Sequence, residues 1–207
     1  MKSTLVISLL CLLTNTVSAK TLSIGIDLSG SNPLLSHEIF AYAAADYLSS
    51  EVLKLETGDT VNIKTFGARE NAVNVVMSSF TISRRVSANQ IAESLTQFIR
   101  SIPEQNGISQ ASTNLIAYLE FTSGFQCESG GQVLVITDGL ESSSLIGGND
   151  LLSGKKGLPE PQIDLSGCDI TFFGLGAGWE PQSIRIVRGA WQKWADQAGA
   201  NFSAVIP

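Results

Sequence analysis

The sequence predicts an α/β sandwich, in which a mostly parallel sheet is covered by helices on both sides. Segments of strand length alternate along the chain with segments of helical periodicity, and two strand segments, 133–137 and 170–175, are continuous apolar runs apart from one threonine each. Continuous apolar strands are typical of parallel sheets buried on both faces, and alternation with helices is how such sheets are connected. One polar break between two alternating segments predicts a hairpin, and therefore one antiparallel edge strand.

Residues 1–19 have the features of a secretory signal peptide. Lys2 provides a positive start, residues 5–13 form an apolar centre, and a small-residue cleavage site ends at Ala19. The apolar run is far shorter than the ~20 residues that cross a bilayer. We therefore expect cleavage after Ala19 and a single mature domain at residues 20–207, either periplasmic or secreted.

The chain is acidic overall. It carries 13 Lys and Arg residues against 19 Asp and Glu residues, which gives a formal net charge of −6. An acidic surface argues against nucleic acid or an anionic membrane as the main partner, because both are themselves negatively charged. The same charge is compatible with cation binding.

A strand and a long helix are predicted at the start of the domain. The apolar run 22–26 ends abruptly at Asp27. Residues 33–55 have helical periodicity, with Pro33 early and Gly58 beyond the end, which is the usual asymmetry of helix ends. The predicted inward side of this helix consists of Leu35, Ile39, Tyr42, Ala43, Tyr47 and Leu48.

A hairpin and a second helix are predicted next. Segments 61–65 and 73–75 alternate between apolar and polar residues around a break at 67–71, which predicts two antiparallel strands. Residues 87–90 resemble a capping box and predict a helix at 87–101. The inward residues of this helix are predicted to be Ile91, Leu95, Phe98 and Ile99.

The second half of the domain continues the alternation of helices and strands. A short helix is predicted at 113–122, strands at 133–137 and 170–175, a long helix at 181–198, and a last strand at 201–206. The apolar stripe of the long helix is predicted to consist of Ile184, Val187, Trp191, Trp194 and Ala198.

Residues 141–167 form a long irregular segment. Such a loop in a compact domain is more often functional or mobile than structural. It leaves the sheet from the same end as Asp138, so we expect it to frame a site there. Trp179, in a later loop, is interpreted as a candidate exposed contact.

Five oxygen-bearing side chains are candidates for one cation site. Asp27, Ser29 and Ser31 alternate directly after the first strand, Thr113 precedes a predicted helix, and Asp138 follows a second apolar strand. Ligands of open α/β sheets bind beyond the carboxyl ends of the strands, where the strand order reverses. Oxygen ligands without imidazole or thiolate suit Mg²⁺, Mn²⁺ or Ca²⁺ rather than zinc or copper. The competing interpretation is that these residues only cap helices and turns.

Two cysteines, Cys127 and Cys168, remain after removal of the signal segment. In an exported protein such a pair is a disulfide candidate, with two free thiols as the alternative. A metal role for them is not expected, because the chain has no Cys-x-x-Cys and its one histidine is His37.

The candidate motifs resemble the von Willebrand factor type A (vWA) family, which includes the inserted domains of integrins. The loop 27–31, Thr113 before its helix, and residues 137–139 after the fourth strand occur in the family's order. The resemblance covers essentially all of residues 20–207. It implies a three-layer, Rossmann-like α/β/α fold with strand order 3-2-1-4-5-6.

The resemblance also implies a metal-ion-dependent adhesion site. In such a site Ser29, Ser31 and Thr113 coordinate the ion, and Asp27 and Asp138 act directly or through water. In that family an Asp or Glu of a partner protein commonly fills the last coordination position. The family's strand order makes the strands after the two cysteines neighbours, which supports a bridge at the end of the sheet opposite the ion.

The leading functional hypothesis is an exported, non-enzymatic module that grips an acidic residue of a partner protein through Mg²⁺ or a similar cation, in a bacterial envelope, secretion or conjugation system. A magnesium-dependent phosphohydrolase is one alternative, since such enzymes also place an acid after the first strand. They need a second acid two positions later as proton donor, and that position is Ser29. No catalytic residue is predicted, because His37 has no nucleophile in a triad context. A structural subunit with a vestigial metal site is the other alternative.

Overall fold

The computed structural model describes residues 19–68, 77–122, 124–127 and 130–207. Apart from Ala19, the predicted signal peptide lies outside the described residues. The predicted strand at 73–75 also lies outside them.

Over the described residues, six strands form one sheet in the order β3-β2-β1-β4-β5-β6. The strands are β1 (Thr21–Asp27), β2 (Thr60–Phe66), β3 (Met77–Thr81), β4 (Gln132–Ile136), β5 (Asp169–Phe173) and β6 (Asn201–Val205). The pairing of β3 with β2 is antiparallel, and the other pairings are parallel. This confirms the predicted α/β class, with its mostly parallel sheet and its antiparallel edge strand.

Helices cover both faces of the sheet. They are α1 (Glu38–Val52), α2 (Ala88–Ser101), α3 (Leu115–Phe121), α4 (Gly148–Leu152) and α5 (Pro181–Gln197). One core cluster joins the sheet to α1 and α2, and a second joins it to α3, α4 and α5. In β4, Leu134 and Ile136 belong to the first cluster, whereas Val133 and Val135 belong to the second. This two-sided burial explains why β4 is a continuous apolar run.

The first helix differs from its prediction in both its start and its inward face. Residues 33–35 form a separate 3₁₀ turn that Asn32 caps, and α1 begins only at Glu38. Ile39 and Tyr42, predicted inward, are 86% and 48% exposed. The buried residues of α1 are Phe40, Ala41, Ala44, Ala45, Leu48 and Val52. The 3₁₀ turn has a different number of residues per turn, so the periodicity counted through it has the wrong phase.

The other helices lie close to their predicted positions. Ser87 and Gln90 form a full capping box at the start of α2, in which each side chain accepts the other residue's backbone N–H. The short helix begins at Leu115, two residues later than predicted. The loop predicted to be irregular contains the five-residue α4, whose Leu151 is buried. None of the described helices is both long enough and apolar enough to span a membrane.

A glycine in β1 is required by the packing of α3 against the sheet. A Cβ atom on Gly25 would lie 2.6 Å from the ring of Tyr118. Tyr118 is buried and stacks on Phe66, with 4.6 Å between ring centroids. Gly25 therefore permits α3 to pack closely on the middle of the sheet, with its amino end near the carboxyl ends of the strands.

Cys127 and Cys168 form a disulfide, as predicted. They lie shortly before β4 and β5, whose first residues, Gln132 and Asp169, are register partners. The disulfide therefore closes the amino ends of two neighbouring parallel strands, at the opposite end of the sheet from Asp27.

Candidate metal centre

The ends of β1 and β4 bring two acidic residues together. These strands are parallel neighbours, and Ile26 pairs with Ile136. Asp27 is the last residue of β1, and Asp138 lies two positions after β4. From β1 the chain continues to β2 on one side, and from β4 it continues to β5 on the other side. The strand order therefore reverses between β1 and β4, and open α/β sheets bind ligands at such a switch point.

The carboxyl group of Asp27 is fully buried and held from two sides. Its Oδ1 accepts a hydrogen bond from the backbone N–H of Ser29 at 2.8 Å, and its Oδ2 accepts one from the Thr137 hydroxyl at 2.7 Å. Burial, followed by the negative charge of Asp138, raises the pKa of Asp27 to about 7 despite these hydrogen bonds. The two carboxyl groups are thus close enough to repel each other.

The carboxyl group of Asp138 is buried but only half satisfied. Its Oδ1 accepts a hydrogen bond from the backbone N–H of Leu140 at 3.0 Å, whereas Oδ2 has no hydrogen-bond partner among the described residues. Burial raises its pKa, and the backbone N–H of Leu140, followed by the nearby Ser31 hydroxyl and Trp179 indole, partly counters that effect. The buried Nε1 of Trp179 also has no hydrogen-bond partner within the described part of the chain. An unsatisfied buried carboxylate oxygen is costly and is a natural ligand for a cation.

The loop after β1 presents its hydroxyls together. The Oγ atoms of Ser29 and Ser31 lie 3.3 Å apart. Asn32 anchors this loop, because its side-chain amide donates to the carbonyl oxygen of Asp27 at 2.8 Å and to that of Ile136 at 3.2 Å. Asn32 therefore ties the ends of β1 and β4 to each other. The sequence does not predict this role, because it depends on a contact with β4, which is distant along the chain.

Thr113 reaches the same edge of the sheet through backbone pairing. The segment before it pairs with the first loop, since Gly30 N–H donates to the Gln110 carbonyl at 2.9 Å. Thr113 is buried and exchanges two backbone hydrogen bonds of 3.0 Å with Ser142. The Thr113 segment is thereby bonded to both the loop after β1 and the loop after β4.

The structure thus brings the predicted residues to one edge of the sheet in two ways. Asp27, Ser29, Ser31 and Asp138 are linked by hydrogen bonds or by electrostatic interaction, and Thr113 is placed by its backbone. Among the described residues there is no group of three or more His, Cys, Asp or Glu side chains suited to a metal. An ion at this edge would depend on hydroxyl oxygens beside the two carboxylates, which suits a hard cation.

A third buried acid, Glu141, lies beside this cluster and was not predicted. Its Oε2 accepts a hydrogen bond from the backbone N–H of Ile116 at 3.0 Å, and its Oε1 has no partner among the described residues. Burial raises the pKa of Glu141. Glu141 fixes the start of α3 to the loop after β4, and so fixes the position of Thr113 indirectly.

Comparison with known proteins identifies the fold. No protein-family model and no curated protein matches this chain. Among solved structures, a von Willebrand factor type A protein from Catenulispora acidiphila aligns with a TM-score of 0.50 and 16% identity, over 91% of this chain and 39% of that one. The pilus adhesin SpaC from Lactobacillus rhamnosus GG, in its open conformation, aligns with a TM-score of 0.45 and 13% identity, over 91% of this chain and 28% of that one. This chain therefore spans less than half of either protein, and the first likeness shows a shared vWA-type fold.

Proposed function

We propose that this chain is an exported, non-enzymatic protein-binding module that uses a divalent cation to engage an acidic residue of a partner protein. The ion is held by Asp27, Ser29, Ser31, Thr113 and Asp138, and Mg²⁺ is the first candidate, with Mn²⁺ and Ca²⁺ as substitutes. The observation that carries this proposal is the pairing of two buried carboxyl groups at neighbouring strand ends, beside two hydroxyls 3.3 Å apart.

The residues present fit such an ion. The unsatisfied Oδ2 of Asp138 offers a free lone pair in a buried position. Both acids have raised pKa values, which means that their charged forms are unfavourable in the folded protein. A bound cation would stabilise those charged forms. When bound, the ion supplies positive charge that attracts one more anionic ligand. The hydroxyls of Ser29 and Ser31 add no charge of their own, which leaves that attraction intact for the acid of a partner.

The same residues argue against an enzyme. A phosphohydrolase with Asp27 as nucleophile would need a proton donor two positions later, and Ser29 is a poor general acid there. Ser29 Oγ is instead positioned with Ser31 Oγ, as expected for a pair of neutral ligands. We therefore assign binding rather than catalysis to this edge of the sheet.

Export is part of the proposal. The disulfide between Cys127 and Cys168 favours an oxidising compartment, such as the bacterial periplasm or the cell exterior. Residues 1–19 supply the proposed signal segment. We propose that the module acts in an envelope assembly, such as a secretion or conjugation system.

Titration calorimetry tests the ion. MgCl₂ or MnCl₂ is titrated into chelator-treated protein, and we expect binding by the wild type and no detectable binding by Asp27→Asn or Asp138→Asn. Asp59→Asn is the matched control, because Asp59 is also buried but lies at the opposite end of the sheet. Wild-type protein that takes up no divalent ion would contradict the proposal and favour a structural subunit.

A pull-down from bacterial envelope extract tests the partner. Immobilised wild-type protein is incubated with extract in Mg²⁺ or in chelator, and Asp138→Asn serves as a second control in Mg²⁺. We expect a partner that is retained only by the wild type and only with the ion. A partner retained equally in chelator would show that binding does not use this site.

A further inference from the structure

A groove lies beside the candidate metal centre, between α3 and the loop that follows β4. It has a volume of about 360 Å³. Ile116, Ala117 and Phe121 of α3 form one wall, and Leu145 and Pro159 of the loop belong to the other. A hydrogen bond of 2.8 Å from the backbone N–H of Gln162 to Glu120 Oε1 holds the two walls together.

One end of the groove adjoins the candidate metal centre. Asn114 and Ser144 line that end. They lie one and two residues beyond Thr113 and Ser142, which exchange two backbone hydrogen bonds. A ligand that reaches the ion beside Thr113 therefore meets the groove without crossing another element of the fold.

The groove is apolar, and its charged lining residues are acidic. The side chains of Phe121 and Leu145, which line the groove, are 72% and 59% exposed, so they present apolar surface that a ligand could cover. The charged residues that line the described groove are Glu120 and Glu160.

The lysines of the same loop do not offset these acids. Lys155 and Lys156 instead lie near Asp150, with N–O distances of 3.8 and 3.3 Å. The groove therefore complements a ligand that combines an apolar side chain with a positive charge.

We propose that the partner segment that supplies an acidic residue to the ion also inserts an apolar side chain between Phe121 and Leu145 and places a Lys or Arg beside Glu120 and Glu160. This inference rests on the proposed function. The path from Asn114 to Phe121 covers about 10 Å of helix, which corresponds to about three residues of extended chain. The acidic, apolar and basic residues of the partner segment thus lie within about four positions of one another.

Selection from a random-peptide display library tests this motif. The library is bound to immobilised wild-type protein in MgCl₂ and eluted with chelator, so that only ion-dependent peptides are recovered. We expect enriched peptides to combine an acid with an apolar and a basic residue at that spacing. Enriched peptides that share only the acid would overturn the groove proposal.

Variants of the groove measure its contribution to peptide affinity. For an enriched peptide, Phe121→Ser and Leu145→Ser are each expected to weaken binding about tenfold. The double variant Glu120→Gln and Glu160→Gln is expected to weaken it about threefold at low salt and less at high salt. Leu53→Ser is the matched control, because Leu53 is 50% exposed but lies at the end of α1. Equal affinities for Phe121→Ser and Leu53→Ser would overturn the proposal.

Two further measurements separate the possible failures. Calorimetry with MgCl₂ on each groove variant should match the wild type, so a wild type that binds no Mg²⁺ defeats the proposed function, whereas normal Mg²⁺ binding without groove-dependent peptides defeats only this inference. Sedimentation in MgCl₂ addresses a second copy of the chain as occupant. A wild-type dimer that Phe121→Ser abolishes would overturn the assignment of the groove to a different partner.

Discussion

The two ends of the central sheet differ in how their buried carboxyl groups are satisfied. At the amino ends of the strands, both carboxylate oxygens of Asp59 accept backbone hydrogen bonds, from Lys20 at 2.8 Å and Glu56 at 2.9 Å. The disulfide closes the same end. At the carboxyl ends, Asp138 Oδ2, Glu141 Oε1 and Trp179 Nε1 have no partner among the described residues. The amino end of the sheet therefore stabilises the fold, whereas the carboxyl end contains buried acidic groups whose charged forms are unfavourable and would be stabilised by a bound cation.

Removal of the disulfide is expected to produce the largest loss of stability. The bridge joins residues separated by 41 positions, so the chain-entropy model predicts that Cys127→Ser with Cys168→Ser costs about 4 kcal/mol of unfolding free energy. Chemical denaturation measures this cost. Because the bridge lies at the far end of the sheet, Mg²⁺ affinity should remain within about threefold of the wild type under conditions where the variant is folded. A loss of Mg²⁺ binding by the folded variant would contradict the separation of the two ends.

Binding of Mg²⁺ at the carboxyl ends of the strands should raise the unfolding free energy by an amount of the same order as the contribution of the disulfide. At an ion concentration about 100 times the dissociation constant, the wild type should gain about 2.7 kcal/mol. Denaturation in MgCl₂ and in chelator measures the difference. Asp138→Asn should gain nothing from the ion, and Asp59→Asn should gain as much as the wild type. An equal gain in all three proteins would mean that Mg²⁺ acts elsewhere.

The pH dependence of stability should differ between ion-free and ion-bound protein. The folded pKa of Asp27 is raised from 3.8 to about 7, so the folded protein retains a proton that the unfolded chain releases in that range. In chelator, the contribution of this group should therefore lower the stability as the pH rises from about 4 to 7, by at most about 1.4 kcal/mol per pH unit for one proton. Denaturation across this range measures the slope.

Two comparisons test the assignment of that slope. Asp27→Asn removes the titrating group, so its slope should be flatter than that of the wild type in chelator. Saturating MgCl₂ should flatten the wild-type slope as well, because a cation favours the charged carboxylate. Identical slopes for wild type and Asp27→Asn in chelator would show that another group titrates.

The fold and the acidic residues of the site could be predicted because their signals are local. Apolar runs of strand length end at Asp27 and before Asp138, and the parallel topology brings such ends together. The face of α1 could not be predicted, because the 3₁₀ turn at residues 33–35 interrupts the periodicity. The roles of Asn32 and Trp179 depend on contacts with β4 and the loop after it, and no pattern around either residue contains that information.

A substitution of Trp179 has the smallest expected effect, and it tests the carboxyl end of the sheet most specifically. Its indole lies near Asp138, and both groups have a buried polar atom without a completed hydrogen bond in the described structure. We expect Trp179→Phe to weaken Mg²⁺ binding by about tenfold, since groups that orient metal ligands have effects of this size.

Trp194→Phe is the matched control for that test, because the Trp194 indole N–H is also buried without a described partner but belongs to α5. Its removal should lower the unfolding free energy through lost core packing and leave Mg²⁺ affinity unchanged. Calorimetry on both variants separates the two effects. If Trp179→Phe binds Mg²⁺ as tightly as Trp194→Phe does, the indole of Trp179 has no part in orienting Asp138, and its unsatisfied N–H is only a cost of packing.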